Sequence, residues 1–510
     1  MIPYDDEQLR ILEKRLRGAG VSRRDFLRIA AAATAATAAA GGVARFASSA
    51  TAAPAGSSPR VAVAGQSGEE QIFYHFSLQD DPLSFDWNLN LYCNAEPETF
   101  AGLLQFNADL EAIPDWAESF EPNEDASVWT FHIRPDNTGW SNGDPVTAED
   151  FVWSWERQLN PDNGAAYAGF LFDIKYAEAY NLAAPVEKEG DPLNGKVPTG
   201  ADLGAVAIDQ WTLEVTMDDT KGSGSRGYFP QVVAYTAAVP AHRPSVEEHG
   251  SDRWALGDVP LVSNGPFKLD RWEHDVVVEL SKNEGYWDFE NIALTKVIDP
   301  IIPAANAVLA FEAGEGEQQL DWTPVGANDL PRFQEDPEKA ELLQKYVYPG
   351  IWMLVPSNGI PPFDQIEVRR ALSHAVDRSR LVSLTNELAI EAQGMVPVGV
   401  FGFIDDPAIA EIQAFDPQLA IDALAGTEFE GGENWPEITM HVRGQEEIYN
   451  SNLMANDIVA QLKEHLNMDV TINVIPEASW RPELFKNEHQ LVWIRWWYDY
   501  PDPNNGYGDM

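Results

Sequence analysis

The sequence predicts a mixed α/β protein with at least two lobes. Its 510 residues exceed what one hydrophobic core usually accommodates, so two or more domains are expected. Segments with the two-residue alternation of strands lie between segments with helical apolar spacing along the whole chain. One segment reads strand, helix, strand, since "EITMHVR" and "MDVTINVIP" flank "NLMANDIVAQLKEHL". Such a segment predicts a parallel pair of strands with a right-handed crossover.

The first part of the chain predicts strands, a capped helix and a hairpin. Thr147 stands three residues before Asp150 at the start of "AEDFVWSWERQL", a spacing typical of a capping box. The alternating runs on both sides of "EHD" predict a hairpin within "GPFKLDRWEHDVVVELSKN" (265–283). "ETFAGLLQF" predicts a helix that runs into a strand. Further strands are predicted in "QIFYHFSLQDDPLSF" from Gln71, in "SVWTFHIRP" (127–135) and in "QWTLEVTM" (210–217).

The second part of the chain follows "VIDPIIP" (297–303), whose apolar run with prolines predicts a crossover between domains. Helical spacing predicts one helix over "EVRRALSHAVDRSRLVSL" (367–384) and another over "DPQLAIDALAG". The closing "HQLVWIRWWYDY" predicts a strand. On it, residues 495, 497 and 499 would share one side, and 496 and 498 the other.

The sequence of residues 1–53 has the features of a twin-arginine export signal. "SRRDFLR" (22–28) precedes the Ala-rich run "IAAAATAATAAAGG", and "ATAA" at Ala50 to Ala53 offers a cleavage site. The apolar run is too short to span a membrane, and residues 54–68 predict a linker. An amphipathic N-terminal helix on a cytosolic protein is the alternative, but the order of these features favours export to the periplasm or another extracytoplasmic compartment.

The charge and the cysteine count exclude several classes of partner and site. A formal net charge of −47 would repel nucleic acid and anionic lipid. A single cysteine, Cys93, cannot form a disulfide framework or a cysteine metal cluster. The nine histidines show no metal-ligand spacing. We therefore expect neither a metal nor a cofactor.

Paired acids leave a secreted glycosidase as an alternative function. Asp80 with Asp81, Asp321, and Asp499 with Asp502 could serve as acid and nucleophile. Because the chain carries 81 Asp and Glu residues, composition alone supplies such pairs. A solvated acidic surface is the simpler interpretation, and no catalytic residue is assigned.

The seventeen tryptophans favour a protein that binds its ligand with aromatic surface. Trp140, Trp480 and Trp496 could stack on sugar rings, as in an oligosaccharide receptor. Alternatively, the last strand could pair with the main chain of a peptide, and Asp499 could bind its α-amino group. A purely structural aromatic strand explains the same pattern, so the residues alone leave these alternatives open.

Four long motifs, in order along the chain, resemble the family 5 extracellular solute-binding proteins, in particular the oligopeptide receptors of ABC importers. The resemblance runs from about Gln71 to the end of the chain. Relatives in this family also bind nickel complexes, haem, opines or oligosaccharides. The motifs are "VWTFHIRPDNTGWSNGDPVTAEDFVWSWERQLNP" (128–161), "VSNGPFKLDRWEHDVVVELSKNEGYWD" (262–288), "PPFDQIEVRRALSHAVDRSRLV" (361–382) and "RWWYDYPDP" (495–503).

The resemblance implies ligand-contacting residues near the end of the chain. Asp499 matches the aspartate that pairs with a peptide α-amino group, and Trp496 matches the tryptophan beside the ligand. Arg495 and Trp497 fall where backbone groups pair with the peptide main chain. Trp480 matches an aromatic residue that lines a side-chain pocket.

Two further positions are compared with the family. Asn88 to Cys93 loosely matches a ligand-contacting loop of the first lobe. Trp493 stands where some relatives carry an arginine for the ligand carboxylate. The resemblance therefore leaves ligand length and recognition of the peptide C-terminus undefined.

The resemblance also implies a two-lobed periplasmic-binding-protein fold, class II-like, with a hinge and an extra N-terminal subdomain. The first lobe would span about 65–300, its subdomain about 96–204, and the second lobe 301–510. In this fold the chain returns to the first lobe, so a C-terminal part is expected to be missing here. The implied function is that of a monomeric, non-enzymatic receptor that captures oligopeptides between its lobes. It would deliver them to the permease subunits of an ABC importer.

Overall fold

The computed structural model describes residues 71–507 except 77, 79, 91, 92, 94, 221, 223, 315–318, 346, 347, 387, 393, 445–448, 485 and 487. The predicted export signal and linker lie outside the described residues. The chain divides into two compact units, unit 1 ending at Thr323 and unit 2 beginning at Pro324. Residues 301–323, which the sequence predicts to open the second lobe, therefore belong to unit 1. The predicted lobe and subdomain bounds are still predictions.

The strands of unit 1 form three sheets in the described part of the chain. Their orders are β1-β10-β9-β8, β2-β3 and β4-β5-β7-β6, and β1 runs parallel to β10. The strands are β1 (Ile72–Tyr74), β2 (Leu104–Phe106), β3 (Ala112–Pro114), β4 (Ala117–Pro122), β5 (Val128–Ile133), β6 (Ala205–Asp209), β7 (Thr212–Thr216), β8 (Phe267–Glu273), β9 (Val277–Lys282) and β10 (Lys296–Pro300).

The helices of unit 1 are short apart from the first and the last. The helix α1 carries the predicted capping box, in which the Thr147 backbone N–H donates to Asp150 Oδ2 at 2.7 Å. Its buried face places Arg157 against Asp86, two charged residues that are 7% and 6% exposed. The helices are α1 (Ala148–Leu159), α2 (Ala177–Asn181), α3 (Phe229–Val233), α4 (Arg243–His249) and α5 (Ala304–Ala313).

Unit 2 is built on one four-stranded sheet of order β11-β14-β12-β13. Its core packs Trp493 of the sheet against the helix Ser451–Leu466 and its neighbours. The strands are β11 (Gly350–Pro356), β12 (Ile438–Arg443), β13 (Val470–Ile475) and β14 (Leu491–Trp497). The helices are α6 (Leu330–Glu335), α7 (Pro337–Ala340), α8 (Ile366–Ala375), α9 (Arg378–Ser383), α10 (Pro407–Ile412), α11 (Pro417–Ala423), α12 (Ser451–Leu466), α13 (Glu477–Leu484) and α14 (Pro503–Tyr507).

Most of the predicted local structure is confirmed. The hairpin is β8–β9, and β12, α12 and β13 form the predicted parallel β-α-β segment. The helix predicted over 367–384 is interrupted after Ala375, and the side chain of Asp377 caps the second helix by accepting hydrogen bonds from Ser379 and Arg380 N–H groups. A short 3₁₀ turn, Pro97–Thr99, replaces the helix predicted before β2.

The proline-punctuated segment 297–303, predicted as a crossover between domains, lies within unit 1. Its first residues complete β10, which pairs with β1 and β9 inside unit 1. Strand pairing explains the difference, because Pro300 stands at the end of β10, where a missing N–H disturbs a sheet least. No helix within the described residues has the length and apolarity needed to cross a membrane.

Candidate functional site

The strand β14 has a neighbour on both sides at its start and on one side at its end. Antiparallel pairing with β11 runs from Leu491 to Trp497. Parallel pairing with β12 covers Leu491 to Trp493, where Val442 is the last partner. Among the described strands, residues 494–497 therefore border β11 alone.

The direction of the backbone groups follows from two flanking hydrogen bonds. The Tyr498 N–H donates to Pro349 O at 2.8 Å, and the Ser357 N–H donates to Gln490 O at 2.9 Å. Backbone groups of successive strand residues point to opposite sides. Even-numbered residues of β14 thus face β11, and the odd-numbered Trp497 turns its N–H and C=O toward the side that β12 occupies earlier in the strand.

One face of the strand end carries a cation among aromatic rings. The Arg495 guanidinium lies 4.5 Å from the ring centre of Trp497 and 5.7 Å from those of Trp352 and Tyr449. Tyr348 meets the Trp497 ring edge-on at 4.5 Å. We call these five residues the aromatic cluster. Cation–π contacts of this kind hold the guanidinium in place and favour a positive charge on this face.

A glycine beside the aromatic cluster makes room for one of its rings, and one of its indole nitrogens is buried. Gly350 lies opposite Trp497 in the sheet, and a Cβ there would come within 1.7 Å of the indole ring. The glycine therefore permits the ring to lie across the neighbouring strand. The Trp352 Nε1 atom is buried and donates to no acceptor in the described part of the chain.

The other face and the segment after β14 are held by Asn505. Its Oδ1 accepts hydrogen bonds from the Asp499 backbone N–H at 2.9 Å and from Trp496 Nε1 at 3.3 Å. Asn505 is fully buried, and Asp499 is half-buried just beyond the strand. Burial, with the negative charge of Asp499 as the next cause, raises the pKa of the Tyr348 phenol. Asp499 therefore acts electrostatically on the aromatic cluster.

Comparison with known proteins identifies the family. Residues 111–510 match the model of a family described as "Bacterial extracellular solute-binding proteins, family 5 Middle". The chain belongs to this family. The family predicted from the four motifs is thereby confirmed.

Relatives of this family 5 protein include two named for oligopeptide binding. Oligopeptide-binding protein OppA of Bacillus subtilis is 30% identical over 424 residues, which are 80% of this chain and 71% of the relative. Periplasmic oligopeptide-binding protein OppA of Escherichia coli is 30% identical over 305 residues, 60% of this chain and 51% of the relative. The matched part thus spans about half the length of the second relative.

Solved structures confirm the two-lobed fold of the family 5 protein. The OppA structure from Burkholderia pseudomallei has a TM-score of 0.67 at 22% identity and covers 86% of this chain and 82% of its own. The Escherichia coli murein tripeptide binding protein MppA has a TM-score of 0.67 at 23% identity, with the same coverage.

The structure brings some of the predicted site residues together and separates others. Arg495 and Trp497 are in contact, and Trp496 and Asp499 share Asn505. Trp480 lies in α13, is 4% exposed and packs against Ile475 and Val492. Its indole is therefore part of an apolar cluster at the start of β14, not at the strand end.

The packing of Trp493 explains why this chain has a tryptophan where some relatives carry an arginine. Trp493 is 6% exposed and packs in the core of unit 2. Its Nε1 donates to Ser451 Oγ at the start of α12, at 3.0 Å. The side chain is thus a packing residue, so it supplies no cation for a ligand carboxylate.

The residues behind the two alternative functions mostly have structural contacts. Trp140 is 1% exposed and its ring lies 4.9 Å from that of His242, so it offers no free face to a sugar. Asp81 accepts hydrogen bonds from Trp272 Nε1 and from the Asp275 N–H. Asp321 is 2% exposed and accepts a hydrogen bond from the Tyr74 backbone N–H.

The first-lobe loop of the family resemblance is also partly structural. Asn88 is 2% exposed, its Oδ1 accepts from Arg157 at 2.9 Å and its Nδ2 donates to Ser154 O at 3.0 Å. Leu91 and Tyr92 lie outside the described residues. The described part of this loop therefore stabilises α1.

Sequence reasoning missed three members of the aromatic cluster. Tyr348, Trp352 and Tyr449 come from segments that precede β14 by many residues, and no spacing links them to it. The register of β11 with β14 places Trp352 opposite Arg495. Only the prediction that these two strands pair could have found that contact.

Proposed function

We propose that this family 5 protein is an exported receptor that captures oligopeptides for an ABC importer. Family membership and the names of the two OppA relatives support the proposal. The observation that carries it is the one-sided pairing of residues 494–497 in β14. An extended peptide can add itself as a strand at such an edge, so main-chain hydrogen bonds give affinity without reading the peptide sequence.

Asp499 is the proposed partner of the peptide α-amino group. It lies two residues after the part of β14, residues 494–497, that pairs on one side only. Its backbone N–H is held by the buried Asn505. A carboxylate held in this way forms a charge-assisted hydrogen bond with an ammonium group, which is the stronger class of hydrogen bond. The main chain would pair with backbone groups at Arg495 and Trp497.

The aromatic residues would line side-chain pockets on both faces of the added strand. Trp496 lies on one face and Trp497 on the other, because side chains alternate along a strand. Trp480 would contribute indirectly, by packing in the apolar cluster at the start of β14.

The remaining parts of the proposal rest on the predicted export signal and on the family. The receptor would leave the cytoplasm by the twin-arginine pathway, act as a monomer without cofactor or catalysis, and deliver peptides to membrane permease subunits. The buried Trp140 gives the oligosaccharide alternative less support than the peptide proposal.

Isothermal titration with matched peptides tests the role of Asp499. Asp499→Asn should weaken binding of a free-amine tripeptide by about 10- to 150-fold, since hydrogen bonds to charged groups contribute about 1.5–3 kcal/mol. Binding of the N-acetylated tripeptide should change little. Asp405→Asn, at an exposed acid of unit 2, controls for the lost charge. Equal losses for both peptides would refute the amine contact.

Mass spectrometry of natively bound ligand tests the ligand class. The protein is purified without denaturant and then unfolded, and the released molecules are identified. A mixture of short peptides with varied side chains is the expected result. Sugars or a metal chelate would keep the receptor and overturn the peptide assignment.

A further inference from the structure

Three ligand-type side chains meet in the interior of unit 1. His75 directly follows β1, and Asp299 lies in β10, the parallel neighbour of β1. The His75 backbone N–H donates to Ile298 O at 2.9 Å, and the imidazole lies beside Asp299. Glu96 enters from the residue before the 3₁₀ turn. The three side chains are 2%, 0% and 1% exposed, respectively.

The distances among these atoms suit a small metal ion. His75 Nδ1 lies 2.9 Å from Asp299 Oδ1 and 3.8 Å from Glu96 Oε2. All three donor atoms lie within 4.8 Å of one another. Ligand atoms about 2.05 Å from a tetrahedral zinc ion are about 3.3 Å apart, so only small adjustments are needed.

Acids outnumber cations in this cluster. Glu98, at the same 3₁₀ turn, adds a third carboxylate beside Glu96 and Asp299. Several carboxylates in a protein interior beside one imidazole are costly to keep ionised, and a divalent cation would offset that cost.

Two of the buried oxygens also point to a ligand. Asp299 Oδ2 and Glu98 Oε2 are buried and accept no hydrogen bond from any residue that the structure describes. Buried polar atoms in folded proteins almost always have a partner. These atoms are a second observation, independent of the charges, that favours a ligand at this cluster.

The imidazole is held in place by its neighbours. Its ring stacks between Phe73 at 5.1 Å and Trp322 at 5.2 Å. The Asp321 N–H donates to Tyr74 O at 2.8 Å, which ties the segment of Trp322 to the end of β1. A ligand fixed in this way loses little freedom on binding metal.

We propose that His75, Glu96 and Asp299 bind a divalent transition-metal ion, with zinc as the representative. Imidazole and carboxylate oxygens are ligands that zinc accepts, and Glu98 Oε2 or a water molecule would complete a tetrahedral site. The ion would join β1, β10 and the 96–98 segment within unit 1. The site involves none of the proposed peptide-binding residues, and it departs from the sequence-based expectation of no metal.

The test is zinc binding by the whole chain after chelator treatment. Titration calorimetry should show one tight site, and zinc should raise the thermal unfolding temperature by mass action. Glu96→Gln and Asp299→Asn should each weaken this binding by about 100-fold or more, because loss of even the outer-shell partners of metal ligands costs about 10–100-fold. Asp115→Asn, at another buried acid of unit 1, should leave zinc affinity unchanged.

Two outcomes would overturn the proposal. Zinc binding that persists in both cluster variants would come from the many surface acids. Failure of the unsubstituted protein to bind zinc at a one-to-one ratio would exclude the proposed site directly. If Asp299→Asn fails to fold, the zinc affinity of Glu96→Gln still tests the proposal. X-ray absorption of the zinc-loaded protein should show one imidazole nitrogen among oxygen ligands.

Discussion

Tryptophans in the interior of unit 1 differ in their surroundings from those at the end of β14 in unit 2. In unit 1, Trp116, Trp155 and Trp254 are almost fully buried, and their indole N–H groups donate to Asn264 O, Ala238 O and Asp86 Oδ2. In unit 2, Trp352 and Trp497 are half-buried around Arg495. The first group connects and stabilises the interior, whereas the second leaves part of its ring surface exposed. Exposure and hydrogen-bond partners separate the two groups, and residue type does not.

The largest effect is expected where unit 1 buries a charge pair. The Arg157 guanidinium forms two hydrogen bonds with the Asp86 carboxylate and others with Asn88 and Ser251. Arg157→Met leaves Asp86 buried and uncompensated, so we expect a loss of about 3–5 kcal/mol in the free energy of unfolding. Denaturant unfolding followed by tryptophan fluorescence measures it.

The control for this substitution is an exposed arginine of the same unit. Arg243 pairs with Glu247 one helical turn away, and both side chains are largely exposed. Arg243→Met should cost less than about 1 kcal/mol. Similar losses for the two variants would show that the buried network of unit 1 is not what stabilises it.

A pH-dependent effect is expected at Asp115, another buried acid of unit 1. Its Oδ1 accepts hydrogen bonds from Tyr286 OH and Trp287 Nε1, yet burial raises its pKa from 3.8 to about 6. The folded state therefore holds this proton more tightly than the unfolded state. The contribution of Asp115 to stability falls as pH rises from 3.8 to about 6, by about 3 kcal/mol in total.

The matched variant is Asp115→Asn, which keeps an oxygen acceptor and cannot ionise. The stability of the unsubstituted protein minus that of the variant should fall through this pH window and stay constant above it. Unfolding curves at a series of pH values measure the difference. A difference that does not change with pH would mean that Asp115 titrates as an exposed carboxyl group does.

The sequence predicts the strand elements of the candidate site better than their surroundings. The alternation of side chains predicted β14 and placed Arg495 and Trp496 on opposite sides of it, because strand periodicity is a local property. The burial of Trp480 could not be predicted, because it depends on packing of α13 against Ile475 and Val492. The His75 cluster was missed because its members are far apart in sequence and meet only through the pairing of β1 with β10.

The smallest effect on stability, and the one that best separates packing from binding, is expected at Gly350. A Cβ there would lie 1.7 Å from the Trp497 ring, so Gly350→Ala must displace the indole from its place beside Arg495. Overpacking of this kind costs about 1–3 kcal/mol. The variant should also bind free-amine and N-acetylated tripeptides more weakly by the same factor, as calorimetric titration can measure.

Gly359→Ala is the matched control, because no heavy atom lies within 4 Å of a Cβ at that position. We expect it to change stability by less than about 0.5 kcal/mol. If Gly350→Ala loses stability but keeps full affinity for both peptides, Trp497 only packs the sheet. If affinity for both peptides falls while Asp499→Asn affects only the free-amine peptide, the aromatic cluster and the carboxylate contribute separately. The strand end of unit 2 would then bind the main chain and the amino group through different residues.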